Sequence, residues 1–213
     1  MRSDQPLSPR FNIPLVLLIV YLTVSACANI QPASDRDNNN RAEYVEAAKE
    51  LRKSAEAGDA SAQNALGLLY YEGRGVPQSY RQAKEWFEKA AKLGRAGAQV
   101  NLGTLYLSGK GAPQSDQMAL FWFSRAAEQG DALAFAKVGR MYELGRGVSQ
   151  DLIQAHMWYN LSAAHGEKRA AEIRDALAKQ MTPAQIAAAQ RLAVEWKSKD
   201  RPGVIRTTAG RMP

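Results

Sequence analysis

The chain has 213 residues, with 28 Lys+Arg against 21 Asp+Glu, 46% hydrophobic residues, one Cys and two His. Such a composition folds, and the length supports a core that needs no covalent staple. A single Cys excludes an internal disulfide framework and the multi-cysteine zinc sites, and His156 and His165 are too few for an all-protein metal cage, so no cofactor is expected.

The N-terminus sets Met1, Arg2 and Arg10 ahead of an apolar run from Phe11 to Ala26. That charged-then-apolar order predicts an export signal over residues 1–26. Sixteen residues of helix reach about 24 Å, short of the roughly 30 Å hydrocarbon core, which favours a cleaved signal over a permanent span. The run ends in Leu22-Thr23-Val24-Ser25-Ala26-Cys27. This string resembles the lipobox of bacterial lipoproteins, with Val24 where leucine is commonest. The resemblance implies lipidation at Cys27 and attachment to the membrane through that lipid. Ala28, standing where an Asp would favour the inner membrane, implies an outer membrane lipoprotein of the cell envelope, facing the periplasm. The alternative is an ordinary cut after Ala28, which releases a soluble periplasmic or secreted chain. Residues 28–41, rich in Asn, Asp, Gln, Ser and Pro, read as a flexible tether.

Beyond the tether the chain repeats itself every 36 residues without a gap. Ala62, Ala98 and Ala134 coincide, as do Gly67, Gly103 and Gly139, and then Tyr70, Tyr106 and Tyr142. The register continues through Gly73, Gly109 and Gly145, through Gly75, Gly111 and Gly147, and through Ala83, Ala119 and Ala155. Trp86, Trp122 and Trp158 share one phase, and Gly94, Gly130 and Gly166 close the units. Each unit holds two helical stretches. The first carries a stripe such as Ala62, Leu66, Leu69 and Tyr70; the second carries Ala83, Trp86, Phe87, Ala90 and Ala91. Neither stretch hides its stripe alone, whereas stacked hairpins do. The in-phase tryptophans are therefore read as packing between hairpins. Gly73 and its copies are read as left-handed helix ends, and Gly75 and its copies as tight turns. Gly67, Gly103 and Gly139 lie inside helices, where glycine costs about 1 kcal/mol relative to Ala, so a close neighbour or an aromatic ring is expected against them.

This phased string resembles the Sel-1-like repeat, a relative of the tetratricopeptide repeat. The resemblance covers repeats at 59–94, 95–130 and 131–166, with half-repeats at 42–58 and 167–181. It implies an all-α fold, an alpha-alpha superhelix or solenoid over residues 42–199. Thr182-Pro183-Ala184-Gln185 predicts the start of a capping helix over 182–199, with Ile186, Ala189, Leu192, Ala193 and Trp196 on its inner face. Residues 200–213 read as a basic, disordered tail; residues 197–213 hold five basic and one acidic side chain.

No nucleophile-and-base or metalloprotease motif is present. His156 and His165 sit at phases held elsewhere by Lys84 or Leu120 and by Leu93 or Gln129, which predicts surface positions. Cys-rich relatives of the family have been linked to beta-lactam hydrolysis through repeats with paired cysteines, and these repeats carry none. The chain is accordingly read as a non-catalytic scaffold for another envelope protein or a peptide. Alternatives are an envelope hydrolase and a structural element binding cell-wall polymer through the tail. Nucleic acid is not expected for an exported chain. Residues that vary at one phase are free to specify a ligand. That singles out a strip on the first helices: Asn64, Leu68 and Tyr71, then Val100, Thr104 and Leu107, then Ala136, Arg140 and Glu143. Tetratricopeptide-type arrays line a concave groove with such residues.

Overall fold

The computed structural model describes residues 38–199, with side chains described from 43 to 196. Nine helices and no strand occur among the described residues: α1 (Asn38–Glu56), α2 (Ala60–Glu72), α3 (Tyr80–Lys92), α4 (Ala96–Ser108), α5 (Asp116–Ala127), α6 (Ala132–Leu144), α7 (Leu152–Ala164), α8 (Lys168–Ala178) and α9 (Pro183–Lys199). Successive helices from α1 to α8 pack on one another and α9 folds back on α7, giving an all-α solenoid of hairpins. Helix α1 begins at Asn38, so four residues expected in the tether are helical. Once Ala47, Ala48, Leu51 and Ala55 are buried, extending the helix outward adds a hydrogen bond for each residue fixed. The signal, Cys27 and the 200–213 tail lie outside the described residues.

The helix ends are written into the sequence. Asp59 caps α2 by accepting from Ser61 N and Ala62 N at 2.7 and 3.0 Å. Ser79, Ser115, Asp131 and Asp151 cap α3, α5, α6 and α7 in the same way. Arg95, at the station of Asp59 and Asp131, leaves α4 without a side-chain cap. Thr182 and Gln185 form a reciprocal capping box at α9.

Packing explains the costly mid-helix glycines. A Cβ on Gly67 would stand 2.6 Å from the Phe87 ring, one on Gly103 2.7 Å from Phe123, and one on Gly139 3.2 Å from Tyr159. Each ring lies close against a helix backbone of its own hairpin, which is what offsets the propensity loss.

The loop between helices joins neighbouring units. A Cβ on Gly75, Gly111 or Gly147 would fall 2.2, 2.3 or 2.6 Å from the carbonyl oxygen of Tyr44, Tyr80 or Asp116. Tyr80 and Asp116 open the second helix of the preceding unit, and Tyr44 holds the same station within α1. The basic residue just before each loop glycine engages the same station. Arg74 lies 5.5 Å from the Tyr44 ring centroid and Lys110 lies 4.9 Å from that of Tyr80. Arg146 forks onto Asp116 at 2.7 and 3.0 Å, which holds that carboxyl below its usual range. Inside, Gln63 and Gln99 donate to the carbonyls of Ala55 and Ala91, tying a first helix to the preceding second helix.

His156 is a correction to the surface placement: it is 3% exposed. Helix α7 packs against α6, α8 and α9, whereas α3 and α5 each lie mainly between two first helices. A station that is half-buried in Lys84 and Leu120 is closed in His156, where Arg174 and Asp175 of α8 are the charged groups facing the ring. Burial, helped by Arg174 and opposed by Asp175, holds the imidazole below its ordinary pKa, and Nδ1 has no hydrogen-bond partner. Above about pH 6.5 the ring is neutral in both folded and unfolded states. As pH falls below that value, the unfolded chain takes up a proton that the native ring refuses. Stability therefore declines, by at most about 1.4 kcal/mol per pH unit, until the native pKa is reached. Urea melts between pH 7.5 and 5.5 should show this decline in the wild type and a flatter one in His156→Leu; parallel curves would contradict it. His165 is exposed, with its ring 5.0 Å from that of Phe135.

Candidate functional site: the first-helix face

The expected strip runs across α2, α4 and α6, and its three stations behave differently. The first lies on a seam. Asn101 Nδ2 of α4 donates to Asn64 Oδ1 of α2 at 3.0 Å, and Val100 is only 5% exposed within the core of the later units. Val100 is therefore a correction: a β-branched residue on the seam between consecutive first helices is covered by packing and offers no surface to a ligand. Asn64 and Ala136 are half-buried at the same phase.

The other two stations face outward. Leu68 and Tyr71 are half-buried against the core of the early units. The Tyr71 ring meets that of Tyr80 edge-on at 5.3 Å, with Lys110 Nζ 5.7 Å from the Tyr71 centroid. Thr104 turns its hydroxyl back onto the carbonyl of Val100, and Leu107 is half-buried. Arg140 is exposed. Glu143 Oε2 accepts from the Tyr159 hydroxyl at 2.6 Å and lies 3.9 Å from Arg140. Burial and the adjacent Glu143 carboxylate raise the Tyr159 phenol well above its usual range, so it stays a proton donor. Along the row, the outward residues pass from Leu68 and Tyr71, through Thr104 and Leu107, to Arg140 and Glu143. An apolar end grades into a charged one.

Lys137 belongs to this face and was missed in the sequence. It stands on α6 at the phase of Asn101, half-buried, with its ammonium held below the usual lysine range by burial and by Arg140. Its signal was a lysine at a phase held by Ala65 and Asn101.

The described residues contain no group of three or more His, Cys, Asp or Glu placed to hold a metal ion. None of their helices is long and apolar enough to cross a membrane.

A right-through stack of capped, glycine-punctuated hairpins defines an α-helical repeat protein. The Sel1 repeat model matches residues 60–94, 96–131 and 132–167, and the chain belongs to the Sel1 repeat family. It is similar to a Sel1 repeat protein of Oxalobacter formigenes, at 34% identity and a TM-score of 0.53, over 59% of this chain and 57% of that one. It is also similar to a protective antigen of uropathogenic Escherichia coli displaying an SLR fold, at 25% identity and a TM-score of 0.57, over 94% of this chain and 50% of that one. The fold alone is shared with cysteine rich protein B of Helicobacter pylori, at 20% identity and a TM-score of 0.50, over 62% of this chain and 94% of that one. The chain thus spans about half the length of the first two relatives. No curated protein matches it.

Proposed function

We propose that this chain is a non-catalytic scaffold that docks a protein or peptide on its first-helix face, and that lipid on Cys27 holds it at the bacterial outer membrane, facing the periplasm. The observation that carries the docking reading is the contrast between phases. The ring positions that pack inside each hairpin are near-identical from unit to unit, as in Phe87, Phe123 and Tyr159, while the outward stations change in size and charge. Stability explains the first set and leaves the second unexplained, and binding specificity accounts for it. The lipobox-like string supports the anchor, since it sets the single Cys directly after the apolar run.

One experiment tests both halves. Full-length chain, Cys27→Ser and Arg140→Glu are expressed in a Gram-negative host, fractionated, and used for affinity capture from envelope extract. Cys27→Ser should leave the membrane fraction, and Arg140→Glu should stay anchored yet lose its captured partner. Membrane retention of Cys27→Ser would remove the lipid anchor, and an unchanged capture profile for Arg140→Glu would remove the first-helix face.

A further inference from the structure

Every half-buried cation among the described residues except one has a carboxylate within 4 Å. Arg74 pairs with Glu72 at 3.0 Å, Lys84 with Glu88 at 2.8 Å, Arg125 with Glu128 at 3.7 Å, Arg146 with Asp116 at 2.7 Å and Arg174 with Asp175 at 2.7 Å. Lys137 is the exception: it is half-buried and has neither an ion pair nor a hydrogen bond to a side chain. One unit earlier, Asn101 at the same phase reaches back to Asn64. The residue one unit back from Lys137 in that relation is Val100, which has no side-chain acceptor. The charge that acts on Lys137 is a second cation, Arg140, one helical turn along α6. The acid of this row, Glu143, is already engaged by the Tyr159 hydroxyl and by Arg140. Two cations against one acid leave a positive charge that the fold has partly desolvated without answering.

Resting on the docking reading above, we propose that Lys137 and Arg140 form a carboxylate-binding station for an acidic peptide segment laid across α2, α4 and α6. A partly dehydrated ammonium gains more from an incoming carboxylate than a hydrated one, because less water competes for it. Charge complementarity selects an acidic residue or a C-terminal carboxylate here. The apolar end at Leu68, Tyr71 and Leu107 selects aliphatic or aromatic residues. The Asn101–Asn64 bond shows first helices of neighbouring units within side-chain reach, roughly 10 Å axis to axis, and an extended chain rises about 3.3 Å per residue. The bound segment therefore sets its acid about three residues from the apolar side chain over Leu107.

Selection of a randomised dodecapeptide display library on the immobilised full chain tests this. The selected pool should be enriched in Asp and Glu spaced about three residues from an apolar residue. The best labelled peptide should bind Lys137→Met and Arg140→Gln about tenfold more weakly, with a further loss at high salt. Thermal melts establish that each variant is folded, and Lys137→Met should melt no lower than wild type, since it removes an unanswered charge. A selected pool without acidic enrichment, or equal affinity for both folded variants, would overturn the carboxylate station and leave the scaffold reading standing. A library yielding no binder would overturn both. Binding to phosphatidylglycerol vesicles that Lys137→Met abolishes, with no acidic peptide selected, would assign the station to a lipid headgroup and overturn the peptide.

Discussion

Gly111→Ala is expected to destabilise the solenoid by about 2–5 kcal/mol, far more than Gly109→Ala two residues away. Both glycines have left-handed backbones, φ +72 and +70. An alanine forced into that region costs about 1–2 kcal/mol at either position. The difference lies in what the new methyl meets. At Gly109 the nearest atom is 3.4 Å away, an ordinary contact. At Gly111 it would stand 2.3 Å from the Tyr80 carbonyl oxygen, which is backbone at the start of α3 and has no rotamer to change. Overpacking adds about 1–3 kcal/mol, and the relief available is for the loop to lift off the preceding unit. Lifting it also separates Lys110 from the Tyr80 ring, so the interface between units is what weakens. Guanidinium melts should show Gly109→Ala keeping a single transition. Gly111→Ala should show a lower midpoint and a broader or split one, as expected where coupling between neighbouring repeats is reduced. Equal losses for the two variants would mean that the loop is not a joint between units.

The parts of this fold that were legible in the sequence are those fixed by local chemistry or by repetition. Thr182 and Gln185 announce the α9 cap because both partners lie within four residues, and the 36-residue phase announces hairpins because one stripe recurs three times. A ring against Gly103 follows from the same phase, since only close packing offsets a glycine inside a helix. What escaped was decided by neighbours distant in the chain. The burial of His156 is decided by the helices packed on α7, among them α8 with Arg174 and Asp175, and nothing at the Lys84 or Leu120 phase carries that information. Val100 looked like a surface position because Asn64 and Ala136 share its phase, yet that station lies on a seam whose width is set by the crossing of two helices. Lys137 escaped for the complementary reason. A lysine on a helix reads as a solvated face, and only the pairing of every other half-buried cation makes its isolation visible.

Trp122→Ala should lower stability by roughly 3–5 kcal/mol and also change how the molecule unfolds. The core among the described residues divides into two clusters, and α5 contributes to both. Phe123, Ala119, Ala126 and Ala127 belong with the later units, while Trp122, the immediate neighbour of Phe123, belongs with α1 to α4. Trp122 is 7% exposed and meets the Phe121 ring edge-on at 5.1 Å, so truncation opens a cavity that small local shifts do not fill. Its Nε1 is buried without a partner, and so are those of Trp158 and Trp196. The side chain therefore contributes through apolar area and contact, which alanine removes, with little offset from a lost hydrogen bond. Trp86 gives the internal comparison: it is half-buried at the same phase, with Lys89 Nζ 4.0 Å from its ring centroid, and Trp86→Ala should cost distinctly less. In a one-dimensional array, stability is a sum of unit and interface contributions. Losing the residue that carries one cluster into the other's helix should let the early units melt before the late ones. Calorimetry should resolve two transitions in Trp122→Ala where the wild type shows one. A single transition at the wild-type temperature would mean that the tryptophan does not pack between hairpins, and the in-phase row would then have to be read as a surface platform.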